Sequence, residues 1–329
     1  MKKLLLFLVI LEHRNFKNFG AGLGRLREII WFPSRGDSER RTRWCEFFWN
    51  IRGAIVPMKV ITLGIILFTM AGPACGQELV ATTRVLSSII TDITRDKIQV
   101  QTLIPSGACP GHFDLNVNHL RVIEKTGVLF AHGFEEYLDD IKQSVRNPEF
   151  KVFIIRVERN WLLPASQKEL YIKTTKILSD IFPQYADYLE KNRKRIEKDI
   201  DRTDREITKM INEKKLYGVR VVCNNHIKDV LEYMGLTVVT TYGRKEELTP
   251  STVKNLIKTC KKENVLLVVD NLQAGPDTGK LISEELKIPH VEISNFPDIF
   301  PKTPTMRETL YENTRRIIAV YEKSKNQTH

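Results

Sequence analysis

The sequence predicts an α/β protein built from two βαβ lobes, whose parallel sheets are joined by one long helix. From residue 79 onward, apolar runs of four to seven residues alternate with helical patterns, which is typical of parallel sheets. Between Ser166 and Gly218 the strand-like runs stop, and apolar residues recur at helical spacing. From residue 219 the alternation resumes with a similar number of strands, so we expect a ligand cleft between the two lobes.

The first lobe, residues 77–165, is expected to hold four strands and three helices. Each predicted strand is a short apolar run, and each predicted helix repeats its apolar residues every three or four positions. The strands are expected at residues 79–83, 98–104, 128–131 and 152–155, and the helices near residues 84–95, 117–125 and 134–144.

The middle segment, residues 166–217, is expected to be helical throughout. Ser166 can cap a helix that runs through Phe182, and Pro183 suits the first turn of the next helix. That second helix would have about 32 residues and a length of roughly 48 Å, which exceeds the diameter of one domain. Gly218 is expected to end it.

The second lobe, residues 218–329, repeats the alternation of the first. Thr249 and Pro250 form a cap-and-start pair for one of its helices. Cys260 lies in the apolar pattern of that helix and is expected in the core. The strands are expected at residues 219–223, 236–241, 265–270 and 290–293, and the helices at residues 224–234, 250–262, 276–286 and 305–322.

Residues 58–76 have the pattern of a secretory signal peptide that begins at an internal methionine. A short basic start precedes an apolar core that is too short for a membrane span, and small residues follow. We therefore expect residues 1–57 to be a non-native upstream extension, with a signal starting at Met1 as the alternative. Lipid attachment at Cys75 and ordinary cleavage after Gly76 are both compatible with the sequence, which predicts an exported protein in the periplasm or on the outer face of the cytoplasmic membrane.

The charge distribution argues against nucleic-acid binding. The net charge is +11, but residues 1–57 hold 11 Lys/Arg and 5 Asp/Glu, so more than half of the excess lies outside the predicted lobes. No basic stripe with interleaved aromatic residues is present in the sequence. The cysteines of the lobes, Cys109, Cys223 and Cys260, are too few for a disulfide framework.

Imidazole side chains follow three of the predicted strands. His112 lies in the loop after strand 98–104, and His132 and His226 come just after strands 128–131 and 219–223. Side chains at the carboxyl ends of parallel strands face a crevice, and three imidazoles from two lobes suit zinc or another borderline transition metal. Asp270 ends a strand and is predicted as a fourth ligand or as a residue that orients one of the ligands. The alternative for each of these four residues is a structural role in the turn that follows its strand. A structural role is also what we expect of His119 and His290.

Four sequence blocks resemble a known family. In their order and spacing they are similar to the metal-binding substrate-binding proteins of ABC importers, the family of zinc and manganese receptors, over about residues 79–323. The blocks are residues 105–114, 128–135, 161–164 and 306–313, together with the long helix. The resemblance implies the two-lobed fold and a metal ion held between the lobes.

The chain departs from this family at three of the four ligand positions. His112 matches the first ligand, but Arg159 and Asn160 stand where the second histidine is normally found. Cys223 and Asn224 stand near the third position, and Ser294 and Asn295 near the final carboxylate, with Asp298 beyond. We therefore treat the following residues as alternative ligand-binding candidates: Arg159, Asn160, Asn224, Asn295, Cys109 and Cys223.

The expected function is that of a monomeric, non-enzymatic receptor that captures a zinc or manganese ion and passes it to an ABC permease. The sequence shows no nucleophile–base pair or paired carboxylates that would support an enzyme such as a metal chelatase.

Two alternative functions stay open. Arg159 would suit a receptor for a metal chelate or an anionic small molecule, because a permanent cation near a bare metal ion costs affinity. A surface adhesin or structural lipoprotein that has lost the metal site would keep the same fold.

Overall fold

The computed structural model describes residues 78–95, 97–108 and 110–327. The predictions for residues 1–57, for the signal at 58–76, for Cys75 and for Cys109 lie outside the described residues, as does the side chain of His112. Within the part of the chain that the structure describes, none of the helices combines the length and the apolar character that a bilayer span requires.

The predicted α/β fold is confirmed, with two parallel four-stranded sheets of matching strand order. The first sheet has the order β2-β1-β3-β4 and the second the order β6-β5-β7-β8. The strands are β1 (Glu78–Ala81), β2 (Gln99–Thr102), β3 (Val128–Ala131), β4 (Lys151–Ile154), β5 (Arg220–Asn224), β6 (Thr237–Tyr242), β7 (Leu267–Asn271) and β8 (His290–Ile293).

The strand order identifies where a ligand should bind in each lobe. In both sheets the chain first adds a strand on one side of the starting strand and then crosses to the other side, so the switch point lies between β1 and β3 and between β5 and β7. Ligands of open α/β sheets bind outside the carboxyl ends of the strands at such a point. His132 follows β3 and His226 follows β5, so both lie at a switch point.

Helices cover the sheets and join the two lobes. They are α1 (Arg84–Thr94), α2 (Val117–Thr126), α3 (Leu138–Ser144), α4 (Pro164–Ile181), α5 (Ala186–Glu213), α6 (Lys228–Tyr233), α7 (Pro250–Lys262), α8 (Asp277–Leu286) and α9 (Met306–Gln327). Short 3₁₀ turns occur as well, among them Pro110–His112 and Asn225–Ile227.

The joining helix α5 differs slightly from the prediction. It has 28 residues, which corresponds to about 42 Å. A 3₁₀ turn, Pro183–Tyr185, precedes it, and the prediction that Gly218 ends it was wrong, because the helix already ends at Glu213 and Lys215 has a positive φ. The predicted cap at Ser166 was also wrong, because α4 already begins at Pro164 after Leu163. Thr249 does cap α7 as predicted, since its side chain accepts a hydrogen bond from the backbone N–H of Thr252.

One hydrophobic core runs through both lobes along α5. It contains Phe130 of β3, Ile200 of α5 and Val269 of β7, all of them buried. Protein cores are packed at crystal-like density and resist continuous deformation. The two lobes are therefore held by shared packing as well as by one connecting helix.

This shared core predicts little lobe motion when a ligand binds. We expect the small-angle X-ray scattering profiles of the metal-free and metal-saturated protein to superimpose. A compaction on metal addition would contradict this expectation, because it would require α5 to separate from one of the lobes in the metal-free state.

Candidate metal or ligand site

Two adjoining cavities lie between the lobes at the carboxyl ends of the strands. The first, which we call the polar cavity, has a volume of about 480 Å³ and includes Arg159, Asn160 and Asp229 in its lining. The second, the aromatic cavity, has about 300 Å³ and includes Phe296 and Arg244. Phe134, Trp161, His226 and Asn295 line both cavities. The candidate site is thus one continuous inter-lobe cleft with two compartments.

His226 is the described histidine that is most exposed to this cleft. The side chain of Asn224 accepts a hydrogen bond from the backbone N–H of His226 at 3.0 Å, which fixes the 3₁₀ turn that presents the imidazole. Burial lowers the pKa of His226, and the positive charge of Arg244 lowers it further. A neutral imidazole at neutral pH is the form that binds a metal ion.

Residues 159–161 of the first lobe cross the cleft and bind the second lobe. The Asn160 side chain donates to the backbone oxygen of His226 at 2.9 Å and to the side-chain oxygen of Asn295 at 3.1 Å. Trp161 donates its indole N–H to the backbone oxygen of Asn295 at 2.6 Å. The two amides that stand at family ligand positions are therefore bonded to each other and tie the lobes together.

Arg159 lies at the rim of the polar cavity. Its side chain is 63% exposed, and its Nε lies 3.6 Å from a carboxylate oxygen of Asp229. The carboxylate of Asp229 also accepts the backbone N–H of Asn160 at 3.3 Å. The positive charge of Arg159 is thus partly balanced by the carboxylate of Asp229.

His132 borders the polar cavity, but it is almost fully buried. Its Nε2 is 2.9 Å from the hydroxyl of Thr83, and the backbone of Ile155 provides a second hydrogen bond. Burial lowers the pKa of His132 to about 4, although the nearby carboxylate of Glu135 acts in the opposite direction. The ring nitrogens of His132 therefore face the protein rather than the cleft, so the structure supports a role in shaping the site.

Three aromatic rings pack nearly parallel at this point. The ring centroid of His132 lies 5.3 Å from that of Phe134 and 5.2 Å from that of Trp161, with interplanar angles of 11° and 22°. The ring centroid of Phe296 lies 5.5 Å from that of Trp161, with the two rings tilted by 53°. His132 is thus the buried support on which the aromatic wall of the cleft rests.

Glu135 holds the turn that carries His132. Its carboxylate accepts the backbone N–H groups of His132 and Gly133 at 2.9 and 2.6 Å, and the hydroxyl of Thr82 at 2.5 Å. The residues after β3 therefore form a tight turn instead of the helix predicted from residue 134, and α3 begins only at Leu138.

Asp270 is not brought to the cleft. It is completely buried in the second lobe, where one carboxylate oxygen accepts the hydroxyl of Tyr242 at 2.5 Å and the other lies 2.6 Å from Nε2 of His290. The prediction of Asp270 as a fourth ligand therefore does not fit this geometry. Its strand extends one residue further than predicted, to Asn271, so the side chain follows the alternation of the strand into the lobe.

The remaining candidates have structural surroundings. Cys223 is buried in β5, and burial raises the pKa of its thiol well above the usual range, which disfavours a thiolate ligand. Asp298 forms an ion pair with Arg84. His119 bonds the backbone N–H of Asn116 and helps to cap α2. Among the residues that the structure describes, no group of three or more His, Cys, Asp and Glu side chains is arranged to hold a metal ion.

Arg244, Phe134 and Phe296 line the cleft although they were not among the residues predicted from the sequence. Arg244 comes just after the end of β6, which is the same signal in the sequence that pointed to His132 and His226. Phe134 and Phe296 carried no such signal, because an aromatic residue after a strand is more often part of a core.

The ZnuA family model, described as the periplasmic component A of a zinc-uptake complex, matches residues 79–320. A Thermotoga maritima protein whose name contains the words metal-binding protein is 23% identical over 241 residues, covering 70% of this chain and 88% of its own length.

Solved structures of similar fold bind several metals. A zinc-bound ZnuA deletion mutant aligns with a TM-score of 0.62 at 16% identity, over 75% of this chain and 98% of its own. A manganese-bound periplasmic metal-binding protein of Candidatus Liberibacter asiaticus, the Y68F mutant, gives 0.63 at 13% identity, over 74% and 99%. FpvC of P. aeruginosa in complex with Ni²⁺ gives 0.63 at 16% identity, over 76% and 98%. At these identities the alignments establish the shared fold.

Proposed function

We propose, since the chain belongs to the ZnuA family of periplasmic zinc-uptake components, that it is an exported receptor which binds a divalent transition metal between its lobes. The metal would then be delivered to the permease of an ABC importer. The family consists of binding components, which fits a non-enzymatic role. Its periplasmic assignment supports an exported location, and the signal peptide at 58–76, the anchor at Cys75 and the monomeric state are parts of the same proposal.

The observation that carries this proposal is the position of His226. It lines the same cavity as Pro110 and Gly111, the residues directly before His112 in the chain. A ligand pair from opposite lobes, His112 and His226, is therefore compatible with the cleft. His132 and Asn224 would support this pair, His132 from beneath the aromatic wall and Asn224 by fixing the turn of His226.

The donor types favour zinc over manganese as the cargo. Imidazole nitrogens suit zinc, nickel and cobalt, whereas manganese is better served by carboxylates and water. The carboxylates that line the polar cavity are Glu158 and Asp229, and Asp229 is already engaged by Arg159 and Asn160. We therefore propose that zinc binds more tightly than manganese.

Thermal unfolding tests the receptor function. We expect chelator-stripped protein to gain stability on titration with zinc, and less or none with manganese. A ligand at 100 times its dissociation constant contributes about 2.7 kcal/mol, equivalent to a rise in Tm of roughly 5–10 °C for a domain of this size.

The variant His226→Ala should abolish the zinc-dependent rise. Its folding should be unaffected, because Asn160 and Asn295 bond the backbone oxygen of His226 and not its ring. His119→Gln, at a histidine outside the cleft, is the matched control and should respond like the wild type. A full zinc response in His226→Ala, or no response to any of zinc, nickel, cobalt and manganese in the wild type, would contradict the proposal.

A further inference from the structure

The aromatic cavity is larger and more apolar than a bare metal ion requires. It encloses about 300 Å³, and its walls include Phe134, Trp161 and Phe296 together with Pro110 and Ala274. Metal ions are held by polar donors about 2.0–2.3 Å away, whereas small organic ligands occupy apolar cavities of this size with a few placed polar groups. Phe134 is 52% exposed, so an aromatic face is available to a ligand.

Permanent positive charge stands beside the proposed metal position. Arg244 lines the aromatic cavity together with His226, and its backbone N–H donates to the carboxylate of Glu247. A bare divalent cation at His226 would be repelled by this guanidinium, because like charges repel more strongly where water is partly excluded. A carboxylate in the same place would be attracted, because arginine matches carboxylate geometry.

The described part of the cleft also offers few protein donors to a metal ion. The amide of Asn160 is bonded to Asn295 and to the backbone of His226, and both nitrogens of His132 are engaged within the lobe. A metal ion that arrives bound to a chelator already has most of its donor atoms. It would need only one or two further donor atoms from the protein.

We infer that the cargo is a metal ion already held by a small aromatic carboxylate chelator. The ring lies against Phe134 and Trp161 in the aromatic cavity, the carboxylate pairs with Arg244, and the metal takes His226 at an open coordination position. This inference rests on the proposed receptor function of the same cleft and specifies its substrate class.

Calorimetric titration of the whole chain tests the inference with defined probes. Pyridine-2,6-dicarboxylate is a planar aromatic dianion that binds zinc through three donors and leaves positions open. Three titrants are compared: zinc alone, the dicarboxylate alone and the 1:1 zinc complex. We expect the complex to bind at least tenfold more tightly than either component.

Two variants separate the complex from the bare ion. Arg244→Gln should weaken binding of the complex, because the guanidinium can donate hydrogen bonds to the carboxylate oxygens that zinc leaves free. The same substitution should strengthen binding of free zinc, because it removes a positive charge from beside the bare dication. Phe134→Ala should weaken the complex about 2- to 10-fold, the range of an aromatic stacking contact, and leave free zinc unchanged. Leu281→Ala, at an exposed apolar side chain of α8 away from the cleft, is the control and should change neither.

The other possible titration results decide separately on the inference and on the receptor function. If free zinc binds as tightly as the complex, the inference fails and the receptor function stands. If the dicarboxylate alone binds as tightly as the complex, the metal has no part in recognition and the inference fails as well. If no titrant binds, both the inference and the receptor function fail.

Discussion

Replacing Gly279 by alanine is expected to destabilise the second lobe strongly. A Cβ atom at this position in α8 would lie 2.5 Å from the carboxyl carbon of Asp270 and 2.6 Å from the hydroxyl oxygen of Tyr242, well inside van der Waals contact. These groups cannot move freely, because Asp270 is fully buried and bonded to both Tyr242 and His290. Relief of the clash must separate the buried carboxylate from a partner, which costs about 3 kcal/mol or more.

Thermal unfolding in the absence of metal measures this effect. For a unit of this size we expect Tm to fall by roughly 6–12 °C. Gly107→Ala is the matched control, because its nearest heavy atom outside the adjoining residues is the Ile299 side chain at 3.9 Å. Equal Tm values for the two variants would show that the carboxylate cluster is looser than the structure indicates.

The same cluster shows how far the sequence can predict such a site. The sequence pattern correctly predicts the edge of the sheet at which β7 finishes, because an apolar run that is buried on both faces is easy to recognise. It could not predict which way Asp270 points, since a shift of one residue in the strand end reverses the side of the sheet that a side chain faces. The partners Tyr242 and His290 belong to other strands, and no local pattern links them to Asp270.

The cleft shows the same difference between features that local sequence determines and features that long-range packing determines. The turns that carry His132 and His226 follow from strand ends, which are local features. The bonds from Asn160 and Trp161 to Asn295 span more than 130 residues of sequence and arise only when the two lobes meet. Local signals therefore predict the framework and the positions of candidate side chains, whereas long-range packing decides which of them face the ligand.

Acidification should destabilise the metal-free protein through His132. Its pKa is lowered to about 4 by burial, from 6.5 in an unfolded chain. At a pH between these values the unfolded state binds a proton that the folded state excludes. The stability contributed by the neutral imidazole is therefore fully present above pH 6.5 and is lost as the pH falls towards 4, at about 1.4 kcal/mol for each pH unit.

The expected loss from this single residue is on the order of 3 kcal/mol between pH 6.5 and pH 4. Urea unfolding across this range gives the free energy of unfolding at each pH. The variant His132→Gln removes the titrating group, so its free energy should fall less steeply than that of the wild type. His226→Gln is the comparison variant, at a more exposed imidazole. Its free energy of unfolding should fall with decreasing pH almost as steeply as that of the wild type. If His132→Gln and the wild type lose stability in parallel, the imidazole of His132 is protonated in the folded state, and the buried aromatic support of the cleft would have to open to water as the pH falls.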